Sequence, residues 1–458
     1  MQITNLNTRP EIGANSWFVE IEGRRLLLDV GTHPKLEGKA ALPQFNLIEK
    51  EEVDAIVISH CHHDHVGALP IAARLFPKAH VLMTELSYFL VERVLHNSVN
   101  VMQRQREEKG IADYPLYTHD EVDDYAPRFQ GFRYFRPVEW ASAYRLRAGL
   151  KSPVLEFCDA GHTLGSAGVF VQGDNETLFY TGDVCFHDQT LLRAARFEDV
   201  RPDVLIMETT RGGRAAPQGY SREAEADRLA EAIRETFEGK GSVLIPTFAL
   251  GRTQEILALL ALLMAEGRLR RQPVYIGGLG RVFTEIYDLQ AHRTYRRHHN
   301  LQLNEALQLV VADKRRIDAK KIKGGRLYVL TAGMLNENTA AHDLALRIMG
   351  DERHSIFFVG YADPETPGGR LKQSKRGKPF FFSETGGEAV RRCRMEEFNF
   401  SAHAAREDLL EFVDQAEPRT VVLGHGDKEA VRWFKRKIKA RRPETRILVP
   451  APGETVEV

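Results

Sequence analysis

Four residues that bind metals well stand within six positions: His60, His62, Asp64 and His65, in the order H-x-H-x-D-H. Imidazole and carboxylate donors suit zinc, with manganese and iron as the alternatives. On a loop behind a strand, residues two apart can turn toward one ion. The adjacent Asp64 and His65 can then face a second, and paired hydrolytic metals usually sit ~3.5–4 Å apart. From the chain's own His and Asp content, chance gives this pattern in roughly one such chain per thousand. A run of structural histidines therefore does not account for it. Two ions need further donors. His162 follows Gly161 and Asp183 follows Gly182, each behind a short apolar run. A histidine can complete one ion, and a carboxylate can bridge both. Two Zn2+ per chain are expected, with Mn2+ as the substitute.

Strand ends must carry these groups. Residues 17–21 and 25–29 flank Glu22-Gly23 and read as a hairpin. Residues 53–59 form an apolar run that ends at His60, the pattern of a buried strand. Residues 66–76 and 86–110 have helical composition and spacing. Further on, runs at 154–157, 178–181 and 204–207 lead to Gly161-His162, Gly182-Asp183 and Glu208. In layered α/β folds the C-terminal ends of strands are where sites are built. From about residue 218 the pattern changes. A charged helix over 221–238 precedes the strand 242–246, and Gly251-Arg252 opens another helix. Strand, loop and helix alternate to about 390, which predicts a separate doubly wound domain. The last stretch returns to strand ends with histidine: Ser401-Ala402-His403 before a helix, and 421–424 running into His425.

The chain has 458 residues and a formal net charge of zero, so any electrostatic case for nucleic acid must be local. Two basic clusters exist. One holds Arg293, Arg296, Arg297, Lys314, Arg315, Arg316, Lys320, Lys321 and Lys323; the other holds Arg432, Lys435, Arg436, Lys437, Lys439, Arg441 and Arg442. Both suit phosphates, and both equally suit solvated helix faces. The four cysteines form no C-x-x-C pair, which fits a reducing compartment. No signal peptide and no membrane span are read, so a cytoplasmic location without membrane contact is expected.

With these residues in place, the chain resembles the metallo-β-lactamase fold: His60, His62, Asp64, His65, His162 and Asp183, preceded by Asp29 at the end of an early strand. Three further segments resemble motifs of its β-CASP branch, namely Glu208-Thr209-Thr210, Phe400-Ser401-Ala402-His403 and Leu423-Gly424-His425-Gly426. Residues 245–255, 331–334, and Gly360-Tyr361 with Gly368-Gly369-Arg370 are similar to its inserted domain. The resemblance covers almost the whole chain. It implies an α/β protein: an αββα metallo-β-lactamase sandwich over 1–207 and 391–458, with a doubly wound β-CASP domain inserted at 208–390. No KH-like domain is expected ahead of the metal region, and no long further domain behind it. The chain departs from the family at Arg211, often Tyr, at Ala405, often Asp, and within 333–343 and 362–369.

By the same resemblance, His60, His62 and His162 hold one zinc, Asp64, His65 and His425 hold the other, and Asp183 bridges them. Asp29 orients the ligands. Catalysis falls to His403 as general acid, to Glu208 behind it, and to Asp64 beside the ion. The implied activity is hydrolysis of RNA phosphodiester bonds by a two-metal-activated hydroxide, leaving a 5′-phosphate and a 3′-hydroxyl, by endo- or 5′→3′ exonucleolytic cleavage. Single-stranded RNA is the implied partner, because RNA-acting members carry His at the third motif. Arg252 and Arg370 are candidate substrate contacts, and a homodimer is common in the family. The competing readings are a DNA nuclease of the same fold, a small-ester hydrolase, and a non-catalytic nucleic-acid-binding subunit. The insert, His403 and His425 argue against the ester hydrolase.

Overall fold

The structure, a computed structural model, describes residues 1–138, 153–312 and 322–458. Its contacts divide the chain into two units. The first comprises Met1–His187, Ala194–Ala216 and His403–Val458; the second comprises Asp188–Arg193 and Pro217–Ala402.

Two sheets build the first unit. One runs, in spatial order, Thr455–Glu457, Gln2–Asn5, Trp17–Ile21, Arg24–Leu28, Ala55–Val57, His80–Thr84 and Phe129–Phe132. The other runs Arg446–Leu448, Thr420–Gly424, Val204–Glu208, Thr177–Tyr180, Ala167–Gln172 and Val154–Asp159. Alternation along each strand separates their two faces. Val204 and Ile206 join Trp17, Val19, Leu26 and Val57 in one core between the sheets, whereas Leu205 and Met207 turn outward. The outward pair meets Leu409, Phe412 and Val413 of the helix Arg406–Ala416 and Phe434 and Ile438 of the helix Lys428–Arg441. On the first sheet the helix Glu85–Lys109 plays the same part, burying Leu86, Leu90 and Val91. Thr84 caps its start by accepting from the Ser87 amide, and Gly110 ends it in the left-handed region. The layers are therefore helix, sheet, sheet, helix.

The second unit holds a parallel sheet in the order Leu309–Val311, Val274–Ile276, Leu327–Thr331, Val243–Thr247, Ser355–Phe358 and Arg394–Glu397. Among the described residues, the helices Arg252–Ala265, Gly278–Leu289, Ala340–Ile348 and Pro367–Gln373 lie between its strands, as parallel pairing requires. This is the doubly wound pattern that the alternation over 218–390 predicts.

Two local expectations are refined. The apolar run at 53–59 is strand only over Ala55–Val57, and the helical stretch at 66–76 is two pieces, His63–Val66 and Leu69–Leu75. Among the described residues, no helix is long and apolar enough to cross a membrane.

Candidate metal centre

Strand direction gathers the site. Arg24–Leu28 and Ala55–Val57 are parallel neighbours, so Asp29 and the segment Ser59-His60 emerge on one edge. Thr177–Tyr180, Val204–Glu208 and Thr420–Gly424 are also adjacent and parallel, and they deliver Asp183, Glu208 and His425. The turn before Asp183 needs glycine. Gly182 has φ +53, and a Cβ there would come within 2.8 Å of the Ser59 Cβ. Asp29 and His425 themselves adopt φ +56 and +49. Such backbone is uncommon away from glycine and tends to persist where the surroundings enforce it.

The donor atoms form two groups that share a carboxylate. His60, His62, His162 and Asp183 offer atoms within 4.8 Å of one another, and so do Asp64, His65 and His425. In the first group, His62 Nδ1 lies 3.1 Å from both His60 Nε2 and His162 Nε2. Asp183 Oδ2 lies 3.6 Å from His60 Nε2 and 3.8 Å from His162 Nε2. A tetrahedron around an ion with bonds of ~2.0–2.2 Å has edges of ~3.3–3.6 Å, so these spacings fit one. In the second group, His425 Nε2 is 3.3 Å and His65 Nε2 3.9 Å from Asp64 Oδ2. Asp183 Oδ2 is also 3.4 Å from His65 Nε2, and Asp183 Oδ1 is 3.1 Å from His425 Nδ1, so this carboxylate touches both groups.

A buried relay sets the imidazoles behind the cluster. Asp29 Oδ1 accepts from the Ser59 amide at 2.7 Å. Its Oδ2 accepts from Ser59 Oγ at 2.7 Å and from Tyr180 Oη at 2.6 Å, and lies 2.7 Å from His65 Nδ1. The carboxylate can only accept, so His65 Nδ1 is protonated and Nε2 is the nitrogen left to offer a lone pair to a metal. Ser59 spends its proton on Asp29 and so accepts from His60 Nδ1 at 3.1 Å, which leaves the His60 lone pair on Nε2 as well. His65 Nε2 is buried and has no hydrogen bond. A lone pair facing the oxygens of Asp183 and Asp64 is repulsive unless a cation lies among them, and the donor set therefore fits a metal.

Without an ion the acids draw protons onto the facing rings: burial would lower His65, but Asp183, Asp64 and Asp29 hold it well above the ordinary histidine range. Burial, then the neighbouring His65, push His60 well below the ordinary histidine range. Burial alone would raise Asp183, but His425 and His65 outweigh it and hold the carboxyl well below the usual range. Burial would lower His425, yet Asp183 and Asp64 bring it up to about 10.

A third group stands beside these: Asp183, Glu208 and His403. Glu208 Oε1 accepts from the Val184 amide at 2.7 Å, and Oε2 lies 3.4 Å from His403 Nδ1. Burial lowers His403, and Glu208 followed by Asp183 raises it more, so its net shift is upward. Its ring tilts against His162 with centroids 4.6 Å apart.

The structure thus brings together His60, His62, Asp64, His65, His162, Asp183, Glu208, His403, His425 and Asp29, all within the first unit. Arg252 and Arg370 belong to the second unit. Arg252 is buried at the start of its helix, and the Arg370 guanidinium stacks 4.9 Å over Phe381. In the first basic cluster Arg296 is fully buried, its guanidinium on the carbonyls of Tyr287 and Leu301, so it does not face solvent. Lys314, Arg315, Arg316, Lys320 and Lys321 lie outside the described residues. Sequence reasoning missed Ser59, Tyr180 and Asn15. Asn15 donates to Tyr180 Oη at 2.6 Å and accepts from Trp17 Nε1 at 3.1 Å. Only the place of Ser59 next to His60, and of Tyr180 at a strand end, hinted at them.

Comparison with known proteins bears on this arrangement. Residues 9–232 match the Metallo-beta-lactamase superfamily, 253–371 the Beta-Casp domain, and 388–450 the Zn-dependent metallo-hydrolase RNA specificity domain. Ribonuclease TTHA0252 of Thermus thermophilus is 30% identical over 443 residues, covering 94% of this chain and 94% of that protein. The chain belongs to the β-CASP family of metallo-β-lactamases. As a β-CASP protein it is also 26% identical over 429 residues to Endoribonuclease YSH1 of Candida glabrata, across 91% of its own length and 53% of the relative's. It spans about half the length of such curated fungal relatives. A solved structure, that of a protein of unknown function from Enterococcus faecalis, shares its fold with a TM-score of 0.59 at 14% identity, covering 100% of this chain and 99% of the other. Metallo-β-lactamases depend on metal, and this β-CASP chain carries His and Asp groups suited to hold it.

Proposed function

We propose that the protein is a zinc-dependent ribonuclease that hydrolyses RNA phosphodiester bonds, cutting internally, from the 5′ end, or both. The observation that supports this most is the position of His403 and Glu208 beside the metal-suited cluster, with Asp183 common to both groups. His60, His62 and His162 would hold one Zn2+, Asp64, His65 and His425 a second, and Asp183 would bridge. When bound, such a pair supplies a water ionised near neutral pH and neutralises charge on a phosphoryl oxygen.

The chain's own residues do the rest. Asp29 and Ser59 hold His60 and His65 in the tautomers that present Nε2. Glu208 keeps His403 protonated, and its Nε2 proton passes to the leaving 3′ oxygen. Asp64 acts in catalysis by fixing the second ion against His425. Arg252 and Arg370 are retained as substrate contacts. The lactamase part is taken as 1–207 with 391–458 and the β-CASP insert as 208–390; a homodimer and a cytoplasmic location complete the reading. Relatives bearing the printed names endoribonuclease and ribonuclease support the choice of RNA.

The deciding experiment pairs single-stranded RNA with DNA of the same sequence, labelled both at the 5′ end and internally, and compares wild type with Asp183→Ala at known metal content. RNA cleavage that disappears together with the metal is expected. Preference for DNA, or full activity in metal-free Asp183→Ala, would refute the reading.

A further inference from the structure

The helix Lys428–Arg441 starts three positions after His425. Its buried residues are Ala430, Phe434 and Ile438, and the last two enter the core beneath the second sheet. At about 100° per residue, this inner face fixes the outer one. Lys428, Arg432, Lys435, Arg436 and Lys439 fall there within an arc of about 100° and form a stripe roughly 16 Å long. All five are exposed.

Among the described residues, no ion pair neutralises these five. Three of the four acids of the adjacent helix are engaged elsewhere, Glu407 with Arg406, Asp408 with His187 and Asp414 with Arg441, and the fourth, Glu411, is exposed. Among the described residues no carboxylate lies within ion-pair distance of the five, and Lys439 donates instead to the Pro443 carbonyl. Glu429, in the first turn, is the helix's single acid. In a chain of zero net charge, five uncompensated cations on one face make a local positive field.

The stripe begins close in the chain to the candidate centre, Lys428 following His425 by three positions. Residues 209–216 join the two. A Cβ on Gly212 would come within 2.7 Å of both the Ala430 Cβ and the Phe434 ring, so this loop packs on the inner side of the helix near its start. From the same loop Arg211 donates to the His403 carbonyl at 3.3 Å, and Arg214 is exposed.

We propose that this stripe, entered past Arg211 and Arg214, is a phosphate track for an RNA strand held at the metal centre. The proposal rests on the ribonuclease reading and gives the substrate a path. The start of the helix three positions after His425, and Arg211 on the His403 carbonyl, favour a substrate over an acidic protein partner, which would not need the stripe to begin near the site. Such contacts bind through the sugar–phosphate backbone and carry no sequence preference.

The test uses the full chain with four substitutions, Arg432→Ala, Lys435→Ala, Arg436→Ala and Lys439→Ala. Two substrates are compared: a long single-stranded RNA, and bis(p-nitrophenyl) phosphate, which is too small to reach the stripe. Turnover of the small diester is expected to be unchanged. With RNA, KM should rise about tenfold at low salt with kcat nearly constant, and the slope of log KM against log salt should fall by about 2–3, roughly 0.7 per lost contact. The double variant Arg432→Lys/Arg436→Lys keeps the charge and should match wild type. Unchanged RNA kinetics and salt slope in the quadruple variant would overturn the track while leaving the ribonuclease reading intact, and would point to an acidic protein as the occupant. An equal loss on both substrates, or a loss in the charge-conserving variant, would overturn it as damage to the site or fold. If wild type hydrolyses the small diester but not RNA, the ribonuclease reading fails and the track falls with it.

Discussion

Replacing Asp29 with asparagine removes one charge and almost no volume, yet it strikes both halves of the metal centre. The carboxylate takes four donors: the Ser59 amide on Oδ1, and Ser59 Oγ, Tyr180 Oη and His65 Nδ1 on Oδ2. Asparagine offers a single acceptor oxygen. If that oxygen takes the Oδ2 position, its NH2 faces the Ser59 amide; if it takes the other, the NH2 faces three donors. A hydrogen bond to a charged acceptor is worth about 1.5–3 kcal/mol and to a neutral one about 0.5–1.5. Three weakened bonds and one orphaned donor, which costs about 1–3 kcal/mol, then amount to roughly 4–7 kcal/mol, shared between fold and site. The site's share follows from the relay, since Ser59 passes the effect to His60 while His65 feels it directly. Loss of an outer hydrogen-bond partner typically weakens metal binding about 10–100-fold. Metal content measured by mass spectrometry across metal-buffered solutions reads the affinity, and a melt in excess metal reads the fold. Asp29→Asn with wild-type metal affinity and wild-type melting temperature would refute the relay.

His403→Ala is expected to keep its metal content and lose turnover about 10²–10⁴-fold, the usual scale for a general acid; loss of metal instead would mark His403 as a ligand. The pH profile tests Glu208. His403 has a raised pKa, so the imidazolium acid is present below that pKa and is lost as pH rises through it. Glu208→Gln removes the main cause of the elevation and should move the alkaline limb of kcat to lower pH; an unmoved limb would sink the assignment. Gly182→Ala sets an L side chain at φ +53 with its Cβ against Ser59, and should destabilise the protein by at least about 1–2 kcal/mol in urea unfolding. A wild-type midpoint there would mean that the turn relaxes freely.

The parts of the site that were legible in the sequence share one property. His60, His62, Asp64 and His65 are adjacent in the chain, and His162, Asp183 and Glu208 each follow a short apolar run, so local pattern was enough to find them. The rest depends on register between distant strands. Tyr180 reads as an ordinary core aromatic, and it does line the core between the sheets. Its hydroxyl reaches Asp29, 151 positions away, only because the two sheets face each other. Charge clusters were misleading for a similar reason. Arg296 looks like its basic neighbours in sequence but is buried on backbone carbonyls, whereas Arg432 and Lys435 stand in the open. Burial is not a property of composition. The doubly wound second unit was legible because alternating strands and helices leave few topologies open.

The pairing of Val204–Glu208 with Thr420–Gly424 also places the site in time. Thr209 Oγ1 donates to the Gly424 carbonyl at 3.0 Å, yet the two residues are 215 apart in sequence. A ribosome extends a chain by about 5–20 residues per second, so Glu208 waits at least about ten seconds for the strand that carries His425 to be synthesised. Until then the parallel edge is unpaired, and the carboxylates of Asp64 and Asp183 lack that imidazole. On the proposed ribonuclease reading, the centre is therefore incomplete until His425 has been made, while its own chain is held beside the messenger and ribosomal RNA.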